Sequence, residues 1–374
     1  MVDITTLGPD VVLSNPQLAP PQGSIVAGMA GDSLALRNAL TKSQLRAIAT
    51  AAPAAVVEDL IMEGTVNLLI GDSGLGKTPL LEQLAICVAT GTPFLGLDTQ
   101  QGKVLFCDAE SAGSHFVGYI RALEDFLGVS PGEEEIRYFL ANAQVAEEAL
   151  GGEFEAKVGD LVAAVGPKLV IIDCLRPFWP DAELKSEVAA RVMRNLRQIA
   201  TKAACAIIIV HHRRKEARLQ KGIDPPNLES NHREWLNEAA GTRALINQSD
   251  CRLGIDIAKG AGTAYPEETY CIAGFSKHEG DILPTYFERV YDKNGRPRGY
   301  APSVPGLTQE QARIFNALPS PYTFGDVFNE QKSRSRKTAG QLQKLYVQAR
   351  LAEGRGMNKN RHFIKKVDHV DATL

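Results

Sequence analysis

The stretch LLIGDSGLGKTPLLEQL, residues 68–84, places a glycine-rich turn between an apolar run and a helix-like pattern. Residues 71–78 fit GxxxxGK[ST], in which the glycines let successive backbone N–H groups wrap around a phosphate. A strand before the turn and a helix after it form the setting that such a loop requires. The stretch therefore predicts a nucleotide-binding P-loop.

The loop supplies the predicted cofactor-binding residues, which are Gly71, Asp72, Ser73, Gly74, Leu75, Gly76, Lys77, Thr78 and Pro79. Lys77 is expected to reach the β- and γ-phosphates of ATP, and the Thr78 hydroxyl to ligate Mg²⁺. Pro79 is tolerated in the first helical turn, because the N–H that it lacks has no intrahelical partner there. A chance glycine-rich turn is the alternative, and the flanking patterns oppose it.

Two other strand ends supply carboxylates for this site. KLVIID (168–173) ends in Asp173, which is the second ligand expected for Mg²⁺. VLFCDAES (104–111) contains Asp108 and Glu110. Glu110 lies beyond the strand end and is the candidate that activates the attacking water, with Asp108 as the runner-up. An acidic residue that caps the following helix is the alternative explanation for Glu110.

A further strand pattern, CAIIIVH (205–211), leads into HHRRK (211–215) and a long polar segment that reaches residue 236. A polar residue at this strand tip is suited to contact the γ-phosphate and to report its loss. Long loops inside compact domains are usually functional or disordered. The cations of this loop are candidate contacts to a nucleic-acid backbone, namely Arg213, Arg214, Lys215, Arg218 and Lys221. A solvated surface loop is the alternative.

The repeating pattern from residue 65 to about 300 predicts the fold class. Short apolar runs alternate with helical patterns, which is typical of an α/β fold with a mostly parallel central sheet. A pair of runs around DKNG (292–295) predicts a hairpin, because Asn-Gly suits a tight turn. The predicted strands are 65–70, 103–108, 168–173, 205–211, 251–257 and 269–277.

Composition shifts divide the chain into three predicted parts. Prolines predict a mobile N-terminal arm with one short helix over residues 1–50, and APSVPG (301–306) ends an ATPase domain over residues 51–300. The pattern over residues 307–370 predicts three helices followed by a basic hairpin, which is the order of a winged helix-turn-helix. The short segment TFGDVF (323–328) has to supply the middle helix of that domain.

Bulk composition bounds the class of protein. The 374 residues are 44% hydrophobic and 23% charged, which allows two globular domains. No run approaches a membrane helix, and no leader pattern opens the chain, so we expect a cytoplasmic protein without a membrane partner. The six cysteines lack CxxC spacing and are expected to be reduced core thiols, and no zinc motif is present.

Charge is distributed unevenly along the chain. Residues 301–374 hold 12 Lys/Arg against 6 Asp/Glu, although the whole chain carries a net charge of −3. Either an anionic partner or a solvated basic face would explain this excess of basic residues in the C-terminal part.

The motifs taken together resemble a known family. GDSGLGKT, FCDAES, LVIIDCLRPFW, IIIVHHRRK, AAGTRALINQSDCRLGI and GFSKHEG are similar, in order and spacing, to the RecA-like ATPase core of RepA-type plasmid replicative helicases, relatives of the DnaB-like hexameric helicases. The resemblance covers residues 50–295. It implies that Glu110 is the catalytic glutamate and that His212 is the γ-phosphate sensor.

The same resemblance implies that a basic residue from a neighbouring subunit completes each site. Arg252 and Lys277 are the candidates. Arg252 is preferred for its place after GTRALINQSD, and Arg243 is the alternative to it. A cation supplied in trans stabilises charge on the transferring phosphoryl group and makes hydrolysis depend on assembly. We therefore expect a homo-oligomer, in the form of a hexameric ring.

The C-terminal domain has no counterpart in the compact plasmid helicases. Its recognition helix is expected to place Arg334, Arg336 and Lys337 at duplex DNA. The wing would add Lys359, Arg361, Lys365 and Lys366. Such phosphate contacts are salt-sensitive. A winged helix that binds a protein is the alternative.

Together these expectations describe an ATP hydrolase that forms a ring, translocates on single-stranded DNA in the ring channel and unwinds duplex DNA. Replication of a plasmid, phage or other mobile element is the expected setting. One rival is a DNA-binding RecA-like ATPase that regulates or remodels DNA without unwinding. A second rival is a P-loop kinase or a KaiC-type signalling ATPase.

Overall fold

The computed structural model describes residues 41–43, 53–109, 113–141, 154–213, 226–258, 269–303, 309–331, 346, 352–355 and 362–365. By their contacts the residues group into 1–54 and 55–374, and all strands of the core belong to the second group. The predicted N-terminal arm lies outside the described residues, apart from residues 41–43. The predicted domain limits remain predictions.

The strands of the core run in chain order as β1 (Ala55–Val57), β2 (Ile61–Met62), β3 (Val66–Gly71), β4 (Val104–Asp108), β5 (Ile136–Leu140), β6 (Leu169–Asp173), β7 (Ala206–His212), β8 (Cys251–Ile257), β9 (Thr269–Ser276), β10 (Gly280–Tyr291) and β11 (Pro297–Pro302). The helices are α1 (Lys77–Thr90), α2 (Gly113–Leu127), α3 (Phe154–Val165), α4 (Leu175–Phe178), α5 (Ser186–Ala203), α6 (His232–Leu236) and α7 (Arg243–Gln248). Strands β1 and β2 form a separate two-stranded sheet, and Val57 of β1 also bridges to Thr99.

One nine-stranded sheet organises the core, in the order β11-β10-β9-β8-β3-β7-β6-β4-β5. The six strands from β8 to β5 in this order are parallel, and β9, β10 and β11 extend the sheet in antiparallel fashion. The fold is therefore α/β with a mostly parallel central sheet, as predicted. The hairpin predicted around residues 292–295 is β10-β11.

The apolar strands are buried on both faces, which explains their continuous Val, Leu and Ile runs. In β3, Leu68 and Ile70 pack into one core cluster, and Leu69 packs into the cluster on the opposite face. Each fully buried side chain of this size contributes about 1.5–3 kcal/mol relative to an exposed one. The sheet is thus a rigid platform whose strand ends hold the site.

The C-terminal part contains α8 (Gln309–Ala317), α9 (Phe324–Glu330) and a hairpin of β12 (Ala352–Arg355) with β13 (His362–Lys365). Helix α9 is the short middle helix expected at TFGDVF, and a capping box between Thr323 and Asp326 fixes its start. Tyr322 bonds to Phe363 of the hairpin through both backbone groups. Of the expected recognition helix, the structure describes only Tyr346, whose ring contacts Phe315.

All six cysteines are buried as free thiols. Among the described residues, no helix is long and apolar enough to cross a membrane.

Candidate nucleotide-binding and hydrolysis site

The candidate site lies at the carboxyl edge of the parallel strands. Strands β3, β4, β6 and β7 all end there, because parallel strands point the same way. Their last residues are Gly71, Asp108, Asp173 and His212. The sheet order therefore brings together four groups that are as much as 141 residues apart in the chain.

The P-loop leaves β3 at Gly71 and enters helix α1 at Lys77. Gly74 and Gly76 adopt left-handed backbone conformations, with φ of 86° and 78°, which glycine accepts without a steric penalty. The Lys77 ammonium is held within the loop by the carbonyl oxygens of Gly71 and Asp72, at 3.0 and 2.8 Å. The start of α1 thus presents backbone N–H groups and a buried lysine, the groups that bind phosphate.

Thr78 and Asp173 meet at the start of α1. The Thr78 hydroxyl donates a 2.6 Å hydrogen bond to the Asp173 carboxylate, which is 3% exposed. A hydroxyl and a carboxylate oxygen at this distance fit the P-loop type of Mg²⁺ site, in which the remaining ligands are phosphate oxygens and water. The two residues predicted as metal ligands are therefore adjacent.

Asp108 lies directly opposite Asp173 in the register of β4 and β6, and it is buried. The runner-up for activating water is therefore part of the site. Glu110, the first choice, lies outside the described residues, two positions beyond the end of β4. Its role remains a prediction.

A buried glutamate that sequence reasoning missed lies next to these carboxylates. Glu82 of α1 is fully buried and accepts a 3.1 Å hydrogen bond from the Tyr138 hydroxyl. Burial first, and then the charges of Asp108 and Asp173, hold the pKa of Glu82 well above its ordinary value. The Tyr138 hydrogen bond opposes this shift in pKa only in part.

His212 ends strand β7 beside the P-loop. Its Nδ1 lies 3.4 Å from the Ser73 hydroxyl, and it pairs with Gly71 in the register of β3 and β7. Its neighbour His211 points into the core, where its Nε2 bonds to the Ala240 carbonyl at 2.7 Å. Burial lowers the pKa of His211. The strand tip therefore connects the phosphate loop to the segment around Ala240.

Arg213 requires a correction, because its side chain is only 5% exposed and is not an open contact for nucleic acid. The guanidinium pairs with Glu238 at 3.0 Å and lies 3.6 Å from Asp72 of the P-loop. It also stacks 5.2 Å from the ring of Trp235. Arg213 thus connects the phosphate loop to helix α6, since these opposite charges and the ring hold it inward.

The candidate residues for action in trans lie toward the amino ends of the parallel strands, away from the strand ends that form the site. Arg252 pairs with Leu68 in the register of β8 and β3, three residues before the P-loop begins. Lys277 follows β9, and its backbone N–H bonds to Asp250, just before β8. Lys277 is exposed, whereas Arg252 is half-buried beside Phe275. Neither side chain is placed at this subunit's own phosphate loop. Arg243 is exposed at the start of α7.

Most of the predicted nucleic-acid contacts lie outside the described residues, namely Arg214, Lys215, Arg218, Lys221, Arg334, Arg336, Lys337, Lys359, Arg361 and Lys366. Lys365 lies within the described residues. Its ammonium packs over the Phe315 ring, 4.7 Å from the ring centre.

The sequence analysis also missed two residues that contact the phosphate loop from a distant part of the chain, and a third that holds one of them in place. Arg289 and Tyr300 bond to carbonyl oxygens of Leu75 and Gly76, and Gln83 bonds to the backbone of Tyr300. The β10-β11 hairpin that carries two of them lies more than 200 residues further along the chain, and no local motif marks it. The adjacent polar residues Glu82 and Gln83, which interrupt an apolar helical stretch, offered the one local signal.

Comparison with known proteins agrees with a P-loop ATPase. Residues 32–218, half of the chain, match the AAA_25 family, described as an AAA domain. Among solved structures, the RadB recombinase is 16% identical, with a TM-score of 0.43 over 65% of this chain and 92% of its own. A KaiC-like protein from Pyrococcus horikoshii OT3 is 14% identical, with a TM-score of 0.42 over 67% of this chain and 99% of its own.

Proposed function

The chain belongs to the AAA_25 family of AAA domains, and we propose that this ATP-hydrolysing P-loop protein is a ring-forming DNA helicase. In this proposal it translocates on single-stranded DNA during replication of a plasmid, phage or other mobile element. The resemblance of its ordered motifs to RepA-type helicases supports that assignment.

One observation carries the proposal of a motor. His212 lies beside Ser73 of the P-loop, and the chain continues from this strand tip, through Arg213, into the basic segment 214–225. Loss of the γ-phosphate removes a contact partner at this tip, so hydrolysis can change the position of the loop that follows. A basic loop that moves with each hydrolysis event is what translocation along a phosphate backbone requires.

The chemistry assigned to the site follows from its groups. Lys77 and the N–H groups at the start of α1 hold the phosphates, and Thr78 with Asp173 would hold Mg²⁺. When bound, Mg²⁺ neutralises charge on the β- and γ-phosphate oxygens. Glu110, or Asp108 in its place, would accept the proton of the attacking water.

Assembly into a hexameric ring is the second element of the proposal. Lys277 is exposed, follows β9 at the end of the sheet away from its own P-loop, and bonds through its ammonium to the Asn247 carbonyl at 2.6 Å, which supports a role at the site of a neighbouring copy. Arg252, which the sequence favoured, lies at the same end of the sheet but is partly covered beside Phe275. We therefore assign the trans role to Lys277 ahead of Arg252 and Arg243.

Two nucleic-acid contacts complete the proposal. Single-stranded DNA would follow the loop that contains Arg214, Lys215 and Lys221 through the ring channel. Duplex DNA would bind the C-terminal part through Arg336, Lys337, Lys359 and Arg361. The pair of helices α8 and α9 with the β12-β13 hairpin supports a winged helix-turn-helix there.

That same C-terminal part favours a second candidate, a RecA-like ATPase that binds duplex DNA and regulates or remodels it without unwinding. A duplex-binding domain is as useful to a site-specific switch as to a helicase.

The first experiment measures ATP hydrolysis with and without single-stranded DNA, using wild type and Lys77→Ala. We expect at least tenfold stimulation of the wild type and no hydrolysis by the variant. Native mass spectrometry with ADP should give a hexamer. Absence of stimulation would favour a signalling ATPase or kinase, and a monomer under all nucleotide conditions would contradict the ring.

A further inference from the structure

The phosphate loop is held from outside by the β10-β11 hairpin. The Tyr300 hydroxyl donates a 2.9 Å hydrogen bond to the carbonyl oxygen of Gly76. The Arg289 Nη2 donates one of 3.1 Å to the carbonyl oxygen of Leu75. Two side chains from adjacent antiparallel strands thus bond to two consecutive carbonyl groups of the loop.

These two bonds help to fix where the loop directs its N–H groups, together with the 3.2 Å bond from the Leu80 N–H of α1 to the Gly76 carbonyl. In a trans peptide the N–H points opposite to the C=O. When the carbonyl groups of Leu75 and Gly76 point toward the hairpin, the N–H groups of Gly76 and Lys77 point away from it. Those N–H groups belong to the turn that binds phosphate at the start of α1.

The close approach of the hairpin leaves no room for a side chain at position 76. A Cβ atom at this position would lie 2.4 Å from the Tyr300 hydroxyl oxygen and 2.5 Å from Nη2 of Arg289. The left-handed φ of 78° also disfavours other residues. Loop conformation and hairpin contact therefore depend on the same glycine.

The hairpin is itself fixed to the helix that the loop begins. The Gln83 side chain bonds to both backbone groups of Tyr300, accepting from its N–H at 2.8 Å and donating to its carbonyl at 2.7 Å. Gln83 is 2% exposed, so water competes little for these bonds. Tyr300 is thereby held at a constant distance from the first turns of α1.

Both donors keep their protons. Burial raises the pKa of Tyr300 to about 12, so its hydroxyl remains a donor at neutral pH. Burial alone would lower the pKa of Arg289, but Tyr300, Tyr270 and Tyr291 more than offset this, and the pKa lies above its ordinary value. The Arg289 guanidinium also lies 5.3 Å from the Tyr270 ring centre, which holds its plane in position.

We infer that Tyr300 and Arg289 are positioning residues for nucleotide binding, which orient the N–H groups of Gly76 and Lys77 toward the phosphates by bonding to the carbonyl groups behind them. This inference rests on nucleotide binding by the P-loop and not on strand separation. It gives the antiparallel extension of the sheet a role in the phosphate site.

The test is calorimetric titration of the full-length chain with ADP and Mg²⁺. We expect Tyr300→Phe, which removes one hydroxyl, to raise the Kd for ADP about fivefold. Arg289→Met should raise it at least tenfold, and Arg289→Lys should recover part of the loss. The KM for ATP should rise by similar factors, with kcat changed less.

Tyr286→Phe is the matched control, because Tyr286 lies on the same hairpin and its hydroxyl bonds to Glu229, which belongs neither to the hairpin nor to the P-loop. It should lower the melting temperature about as much as Tyr300→Phe while leaving the Kd for ADP unchanged. Equal Kd values for wild type, Tyr286→Phe and Tyr300→Phe would overturn the inference. If Arg289→Met does not fold, Tyr300→Phe and Arg289→Lys decide the outcome. Failure of helicase activity would not affect these titrations.

Discussion

The Thr78 hydroxyl lies 2.6 Å from the Asp173 carboxylate, across 95 residues of chain. Thr78 is the second residue of helix α1, and Asp173 ends strand β6, which is separated from β3 by one strand. The sheet order therefore brings the candidate metal-binding pair together, because β7 alone lies between β6, which ends in Asp173, and β3, which leads through the P-loop to Thr78.

Asp173→Asn is predicted to abolish most ATP hydrolysis while leaving the fold intact. The amide keeps the shape and a hydrogen bond to Thr78 but removes the negative charge that a divalent cation needs. We expect kcat to fall by about 10²-fold or more, which is typical for loss of one electrostatic group in an active site. A steady-state phosphate-release assay at saturating Mg²⁺ measures this.

Thr78→Ser provides the matched control, because it retains the hydroxyl. It should keep hydrolysis within a few-fold of wild type. Wild-type kcat for Asp173→Asn would remove Asp173 from the site.

Mixing two inactive variants should restore hydrolysis if Lys277 acts in trans. A Lys77→Ala subunit retains Lys277, and a Lys277→Ala subunit retains its P-loop, so a mixed ring contains some complete sites. At equal amounts, about a quarter of the interfaces would be complete if subunits exchange at random, and activity should recover accordingly. The measurement is ATPase rate against mixing ratio.

The corresponding mixture of Lys77→Ala with Asp173→Asn is the control, since both residues belong to the same subunit's site and no more than background should return. A Lys277→Ala protein with wild-type hydrolysis would transfer the trans role to Arg252 or Arg243.

Burial of His211 predicts a pH dependence of stability. Its pKa is lowered in the folded state, so below the ordinary value of 6.5 the unfolded chain binds a proton that the folded chain does not. Stability is therefore greatest above this pH and is lost as the pH falls toward the folded pKa. One such group contributes at most about 1.4 kcal/mol per pH unit.

His211→Gln should show a smaller loss of unfolding free energy than wild type between pH 7 and pH 5.5, measured by urea denaturation. Glutamine can still bond to the Ala240 carbonyl, so the variant should fold. The exposed His278 provides the control as His278→Gln. Identical slopes for wild type and His211→Gln would show that His211 does not resist protonation.

Duplex binding by the C-terminal part predicts a salt-dependent effect of Arg336→Ala with Lys337→Ala. If both side chains contact phosphates, the slope of log K against log salt should become shallower by about 0.9 for each. Affinity should fall for all sequences alike. Fluorescence anisotropy over a salt series measures both quantities.

Arg313→Ala is the control, since this exposed arginine bonds to Glu330 within the same part of the chain. An unchanged slope in the double variant would favour the interpretation of the basic domain as a protein-binding winged helix.

The sequence predicted the parallel sheet well because its strands are buried on both faces and therefore read as continuous apolar runs. The six predicted strands all occur, with limits shifted by one residue at most. Strand β5 was missed because IRYFL lies at the sheet edge, where it is only partly buried. The short β1 and β2 carry too few residues for a periodic signal.

The candidate site was predictable wherever a local motif coincides with a strand end, as for Lys77, Thr78, Asp173 and His212. Arg213 was misread because its burial depends on Trp235 and Glu238, which follow a long loop. Arg289 and Tyr300 could not be predicted, since their contact with the P-loop arises only when the antiparallel strands fold back beside α1.

The central claim is that ATP hydrolysis at Lys77 drives DNA unwinding, and a forked-duplex assay tests it most directly. A fluorescently labelled fork is incubated with ATP and Mg²⁺ and either wild type or Lys77→Ala, and strand separation is followed in time. The account predicts ATP-dependent separation by the wild type and none by the variant. DNA-stimulated hydrolysis without any strand separation by the wild type would contradict it.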